Sequence, residues 1–377
     1  MSQLKRRYRI GIDFHTWDGI FQGSRSHVLG VYREAIRQAP DLDFVFFLGD
    51  TDSLRQAYPE FALPNVELVS MGHQSGLVRL LVQLPWLAWR HRIDILHTQY
   101  RVPLVSPCKT ACTIHDLLCE SHPQFFGKAF VWQSRITFRQ SAHQADALFS
   151  VSQYSRQEII DRYHVPAHRV GVTFNGVDAT RFHPGPDGAE LVRELGLEPG
   201  NYILTVGRLE PRKNQANLIR AWSALGPDAP QLVIVGQPDF SFHDIHEAQQ
   251  AAPRPATMLD RVSDQALPAL LRHARLFAYP AFAEGFGMPV IEALASGVPV
   301  VTSNTTSLPE VAGDAAILID PHRVESLQAG LRQGLALTGT VREQVIGRGL
   351  SQAARFTWAD SARVLVEGLR STLAGPR

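Results

Sequence analysis

Two carboxylates bracket a glycine-rich turn in the stretch EGFGMPVIE, residues 284–292. Gly285 and Gly287 let the backbone come close to a ligand, and Pro289 suits the first turn of a helix, where its missing N–H costs nothing. Amides at such a turn face an anion with the helix dipole behind them. Glu284 then lies in the loop and Glu292 about one turn inside the helix. Carboxylates beside a phosphate site are poor phosphate ligands but good acceptors for sugar hydroxyls, so the pair can grip both ends of a bound sugar diphosphate. The structural alternative is a helix cap at Glu284 and a solvated helix charge at Glu292. A second constellation, GRLEPRKN (207–214), places Gly207, Arg208 and Lys213 between a strand and a helix. Cations sit badly at a helix N-terminus, which favours a functional reading: Arg208 and Lys213 neutralise a diphosphate leaving group. In the first half, TIHDL (113–117) brings His115 to the carboxyl end of an apolar strand. The loop HTWDGIFQGSRSH (15–27) holds Gly19, Gly23, Ser24 and Arg25 ahead of a helix, without the dinucleotide G-x-G-x-x-G pattern.

Such residues need elements to place them. Seven runs read as strands in the first half: 8–14, 44–49, 66–71, 94–99, 110–115, 147–152 and 169–174. Six more follow, at 202–207, 231–236, 256–259, 275–280, 298–303 and 315–320. Strands alternating with helices predict parallel sheets with right-handed crossovers, and open α/β sheets bind ligands beyond the carboxyl ends of their strands. At 377 residues two domains are expected: residues 1–178 and 201–377, joined by an aperiodic Gly/Pro/Asp-rich hinge over 179–200. A last helix from about Thr357 to Leu373 is expected to pack back over the domain seam.

The formal net charge of +1 points away from a nucleic-acid partner. The cysteines Cys108, Cys112 and Cys119 lack zinc-ligand spacing and read as reduced thiols of a cytoplasmic protein. No apolar run reaches spanning length and no signal peptide precedes the first strand. SGLVRLLVQLPWLAWRHRID (75–94) reads first as a packed crossover helix interrupted at Pro85. Its second reading is an interfacial helix, with peripheral membrane contact through 77–92.

With these motifs in hand, the chain resembles the retaining glycosyltransferases of family 4, which have the GT-B fold of two doubly wound Rossmann-like domains. GRLEPRKN, the E-x7-E motif from Glu284 to Glu292, and GVPVVTSNTTSLPEVAGDAAILIDP (297–321) carry the likeness. TIHDLLCESHPQFF, FSVSQYSRQEI and FNGVD carry it in the first half. The resemblance implies that Arg208 and Lys213, with Gly207, hold the donor diphosphate. It implies that Glu284 and the backbone of Gly285, Phe286 and Gly287 bind sugar and phosphate, that Glu292 binds the ribose, and that His115 lies against the transferred sugar. Gly23, Ser24 and Arg25 fall on the acceptor-side loop, and Val262 on the turn expected near the base. Three departures stand out: the first-loop glycines are spread apart, Ala281 replaces a frequent serine, and Asp260 replaces a usual glycine. The family also implies retention by front-face attack, since no motif carboxylate offers itself as a nucleophile, and a nucleotide-diphosphate sugar as co-substrate with no metal required. The likeness leans towards bacterial mannosyl- and rhamnosyltransferases of surface polysaccharides, with a GDP-sugar donor and a glycan or lipid-linked glycan acceptor. Two rivals remain at the level of sequence. DLD (41–43) and DTD (50–52) match the Asp-x-Asp signature of metal-dependent transferases, and the same fold can serve as a non-catalytic sugar-nucleotide sensor.

Overall fold

The computed structural model describes residues 6–19, 23–72, 74–239 and 243–375. All thirteen runs read as strands form strands, in two wholly parallel sheets. The first contains β1 (Arg9–Asp13), β2 (Asp43–Leu48), β3 (Val66–Ser70), β4 (Ile95–Gln99), β5 (Lys109–Thr113), β6 (Ala147–Ser150) and β7 (Val170–Val172). Their spatial order is β3-β2-β1-β4-β5-β6-β7. The second contains β8 (Tyr202–Val206), β9 (Gln231–Val235), β10 (Thr257–Leu259), β11 (Leu276–Tyr279), β12 (Val300–Ser303) and β13 (Ala316–Ile319), ordered β10-β9-β8-β11-β12-β13. This is the doubly wound arrangement, whose strand order reverses between β1 and β4 and again between β8 and β11.

Strand β2 shows why the sheets read as near-continuous apolar runs. Phe44 and Phe46 join one core with Val31, Tyr32 and Leu365, while Val45 and Phe47 join another with Leu84, Leu87 and Ile93. Both faces of a parallel strand are covered by helices, so period-two alternation gives way to a solid hydrophobic stretch.

Contacts divide the chain into two units, Val177–Phe356 and the remainder, so that residues from Thr357 onward belong with residues up to Gly176. In the first unit the C-terminal helix Trp358–Ala374 packs along the helix Gly23–Gln38. The closeness depends on Gly30: a Cβ there would lie 2.3 Å from the Trp358 ring. Ser361 Oγ donates to the Phe174 carbonyl at 2.5 Å, and Lys109 Nζ donates to the carbonyls of Thr372 and Gly375 at 2.7 and 2.6 Å. In the second unit, the segment after Gly176 is fixed by Arg272, whose guanidinium donates to the carbonyls of Arg181, His183 and Asp187 at 3.2, 2.8 and 2.8 Å.

The segment 76–90 is helical throughout, with an i→i+5 turn over Arg79–Gln83 between Gly76–Val78 and Leu84–Arg90. Pro85 does not interrupt it. A proline cannot donate to the preceding turn and its ring crowds the carbonyl four residues back; a widened π turn accommodates both defects. No helix among the described residues is long and apolar enough to cross a membrane.

Candidate active site

In the second unit the strands flanking the reversal point carry the charged residues. Beyond β8 the chain runs through Gly207, at φ +155°, into a 3-10 turn Pro211–Lys213 and the helix Gln215–Ser223. Beyond β11 it runs through Ala281–Gly287 into the helix Met288–Ala295. The two segments meet at Glu284. One carboxylate oxygen accepts from Lys213 Nζ at 2.5 Å and from the Tyr279 hydroxyl at 3.0 Å, and lies 3.0 Å from the Arg212 guanidinium. Lys213 also donates to the Tyr279 hydroxyl at 2.8 Å. Arg212 is held from behind by Glu210 at 2.6 Å and the Ala283 carbonyl at 2.7 Å.

This cluster is nearly buried, so its electrostatics are strong. Burial works against the Glu284 charge, but Arg212, Lys213 and Tyr279 overcome it and hold the carboxyl at about 2. Burial lowers the Lys213 ammonium and raises the Tyr279 phenol well above its ordinary value. Glu284 is therefore an anion at any ordinary pH, fixed between Arg212 and Lys213.

The loop 284–287 is stapled in place. Thr306 Oγ1 accepts from the Glu284 amide at 2.9 Å, and Ser307 Oγ donates to the carbonyls of Glu284 and Phe286 at 2.8 and 2.9 Å. Phe286 is buried, with its ring edge-on to Phe356 at 5.5 Å. Gly287 precedes the helix at φ +101°, and a Cβ there would fall 2.6 Å from Leu308. Glu292 sits inside the helix, partly exposed, and its carboxylate has no hydrogen-bond partner among the described residues. Burial raises it to about 7, against the pull of Arg181. Arg181 also donates to the Asp264 carbonyl at 3.1 Å, in the loop after β10 that carries half-buried Val262.

In the first unit a second cluster lies at the carboxyl ends of β1, β4 and β5. Asp13, almost wholly buried, accepts from His15 Nδ1 at 3.0 Å and lies 3.3 Å from Arg79 Nε. Burial opposes the Asp13 charge, and His15 and Arg79 restore it to below its ordinary value. His115 is buried, stacked on Tyr100 and edge-on to His27, both at 5.1 Å. Its Nε2 meets Gln99 Oε1 at 2.6 Å, so that nitrogen carries the proton. Burial, with His27 and His97 nearby, pushes its pKa well below the ordinary value. His115 is thus a neutral imidazole, able to orient a hydroxyl but not to supply positive charge.

The expected donor residues are only partly gathered. Lys213, Glu284, Gly285, Phe286 and Gly287 form one locus, with Glu292 on its helix. Arg208 stands outside it: its side chain is about half exposed and pairs with Asp239 at 3.0 Å. Lys213, expected to neutralise the donor diphosphate, is a nearly buried ion-pair partner of Glu284 in this structure. Gly23, Ser24 and Arg25 form the first turn of a helix rather than a loop, and Arg25 lies 4.2 Å over the Trp17 ring. Residues 20–22, part of the acceptor-side loop expected from sequence, lie outside the described residues. The Asp-x-Asp aspartates have structural partners: Asp41 pairs with Arg370, Asp43 with Arg7, and Asp50 caps the helix Thr51–Ala57. Sequence reasoning missed Arg212, Tyr279, Asp13, Arg79 and Gln99. Arg212 had a signal, since it adjoins Lys213 in the same motif. Tyr279 ends an apolar strand, and Arg79 reaches Asp13 from a distant helix, so neither announced itself.

Known proteins match both halves of the chain. Residues 21–181 match the family described as Glycosyltransferase Family 4, and residues 189–349 that of Glycosyl transferases group 1. The O-antigen chain mannosyltransferase B of Escherichia coli is 33% identical over 256 residues, 66% of this chain and 67% of that protein. The serotype-specific mannosyltransferase WbdA of the same organism is 29% identical over 71% of this chain, which spans only 34% of WbdA. Among solved structures, a glycosyltransferase from Rickettsia africae superposes with a TM-score of 0.76 at 15% identity, covering 99% of this chain and 100% of that one. WaaG, a glycosyltransferase involved in lipopolysaccharide biosynthesis, superposes with a TM-score of 0.72 at 16% identity, covering 98% and 100%. HepE of Anabaena, in complex with UDP-glucose, gives 0.76 at 18% identity, covering 96% and 99%. The fold is therefore GT-B, and the chain belongs to the family 4 glycosyltransferases.

Proposed function

We propose that the protein is a retaining, metal-independent transferase that moves mannose or a related hexose from a nucleotide-diphosphate sugar, of the GDP-mannose type, to a glycan or lipid-linked glycan. The cluster of Lys213, Arg212 and Glu284 at the reversal point of the second sheet carries this reading. Two cations stored on one carboxylate, beside the amide-bearing turn Gly285–Gly287, suit a diphosphate that gains negative charge as its bond to the sugar breaks. The two mannosyltransferase relatives from Escherichia coli support the choice of sugar, and HepE, solved with UDP-glucose, supports a nucleotide-sugar donor.

In this mechanism Lys213, aided by Arg212 and by Arg208 released from Asp239, turns towards the diphosphate oxygens. Glu284 accepts from sugar hydroxyls as the ring flattens and becomes cationic, and the open carboxylate of Glu292 accepts from the ribose. His115, as a neutral imidazole, orients a sugar hydroxyl. The acceptor hydroxyl attacks the face from which the diphosphate departs and passes its proton to that leaving group. A lipid-linked acceptor would set the reaction at the cytoplasmic face of a membrane, with the enzyme bound peripherally.

The test joins binding to product. A thermal-shift panel of nucleoside diphosphates should give the largest rise in Tm with GDP, because a ligand that binds only the folded state stabilises it. Transfer from GDP-mannose in EDTA should continue and yield an α-linked product, read from anomeric coupling constants by NMR. Stabilisation by UDP alone would overturn the donor. A β-linked product would overturn retention, and activity lost in EDTA but restored by manganese would overturn metal independence.

A further inference from the structure

The helical segment 76–90 turns a continuous apolar stripe to solvent. Leu77, Val78, Leu81, Val82, Trp86 and Trp89 are 67, 42, 42, 62, 56 and 68% exposed. Isolated exposed apolar side chains are ordinary, but six on one face of one helix, two of them tryptophans, form a patch. The opposite face is anchored, with Leu84, Leu87 and Ala88 buried against Val45 and Phe47. No Asp or Glu occurs between Gly76 and Arg92. Leu104 and Val105, 58 and 79% exposed, lie just before Pro107, which lines the same depression as Trp89.

That depression, of about 480 Å³, sits at the C-terminal end of the stripe, and its rim includes Arg6, Arg90, Arg92 and Asp94. A neighbouring one of about 600 Å³ shares Arg6, Arg90 and Arg92 and adds Arg7 and Arg9. Three of these arginines already have carboxylates: Arg6 pairs with Asp94 at 2.9 Å, Arg7 with Asp43 at 3.1 Å and Arg9 with Glu67 at 2.5 Å. Arg90 and Arg92 are exposed, and their guanidinium groups have no ion-pair or hydrogen-bond partner among the described residues. Guanidinium pairs with phosphate readily and in a bidentate manner.

We infer that this face docks on an anionic phospholipid bilayer, the stripe entering the acyl boundary and Arg90 and Arg92 taking headgroup phosphates. The chemistry fits one surface that is apolar and anionic within a few ångströms. The stripe itself offers no partner for hydrogen bonding apart from the two indole N–H groups, which suit the headgroup level, where tryptophan collects. Basic residues beside it draw on the negative potential of the leaflet. The ion pair from Arg79 to Asp13 ties the docked helix to the end of β1, so the membrane face and the first unit's strand-end cluster are set at a fixed distance from each other. The inference does not depend on the donor, and its test reads membrane binding rather than transfer.

The full chain is sedimented with vesicles of phosphatidylcholine, alone or mixed with phosphatidylglycerol, while tryptophan emission is followed. Two double variants are compared, Trp86→Ser with Trp89→Ser and Arg90→Glu with Arg92→Glu. Melting curves and GDP binding check that each variant is folded. Binding should require the anionic lipid, be accompanied by a blue shift, and weaken about tenfold or more in each variant. Added salt should weaken it further. Failure to bind either vesicle, or binding that neither pair of substitutions affects, overturns the inference. So does a concentration-dependent dimer in light scattering that the tryptophan substitutions abolish, since a second copy would then cover the face.

Discussion

Glu284 and Glu292 are eight residues apart, yet their surroundings drive them in opposite directions, to about 2 and about 7. The consequences for stability have opposite signs. Glu284, with its folded-state pKa depressed, contributes stability that is complete above its ordinary 4.5 and lost as pH falls through 2. Glu292, with its pKa raised, contributes stability that is complete below 4.5 and lost as pH rises through 7. Glu292→Gln should therefore match the wild type near pH 4.5 and be more stable at pH 8, by up to about 3 kcal/mol and less where solvent reaches the carboxylate. Melting temperatures across that range decide it, and an identical pH profile for the two proteins would contradict the raised value. Kinetically, Glu292→Gln should raise the donor KM and spare kcat, because a ribose contact is the same in ground and transition states. Glu284→Gln should lower kcat by about tenfold to a hundredfold, the worth of a charged hydrogen bond that strengthens as the sugar becomes cationic. Initial-rate kinetics on both variants separate these effects; a shared signature would deny the two glutamates different tasks. Lys213→Ala should lose activity and also stability, by roughly 3 kcal/mol or somewhat less because Arg212 still neutralises Glu284. A melting curve unchanged from the wild type would show that Lys213 is not the buried partner described here.

At the scale of the element, the turn before the helix Met288–Ala295 is the most constrained part of the site. Gly287→Ala meets both a positive φ and the Leu308 side chain. It should cost about 1–3 kcal/mol and lower Tm by several degrees, while donor binding falls with the displaced amides; calorimetry and nucleotide titration read the two effects. The strands and this turn were legible because they rest on local rules: buried parallel strands are solid apolar runs, and a glycine followed by proline marks a helix start. The partners of the charged residues were not, because pairing is tertiary. Nothing near Arg208 in the chain points to Asp239, thirty-one positions on, and nothing in LVRLLV tells Arg79 to reach Asp13. Pro85 misled for a related reason: the rule that proline ends a helix assumes an α-helical turn before it, and here a π turn makes room. Gly23 reads as a loop residue because glycine favours turns, yet it is the first residue of the helix Gly23–Gln38.

At the scale of the molecule, the two sheets repeat one winding, and each collects its polar residues where the strand order reverses. The first unit differs in being built from both ends of the chain. Removing residues 357–377 should bare Gly30 and the apolar side of the helix Gly23–Gln38, so hydrogen exchange in that helix should rise sharply while exchange in β8–β13 changes little. Equal protection in the shortened protein would show that the C-terminal helix is dispensable there. The seat that Gly30 offers to Trp358 also bears on how the protein is made. During translation, residues 177–356 must emerge before the helix that closes the first unit exists, and at 5–20 residues per second that interval is roughly 10–35 s. Throughout it a nascent first unit presents an apolar groove to the ribosome's surroundings, a natural holding site for a chaperone until the helix Trp358–Ala374 arrives.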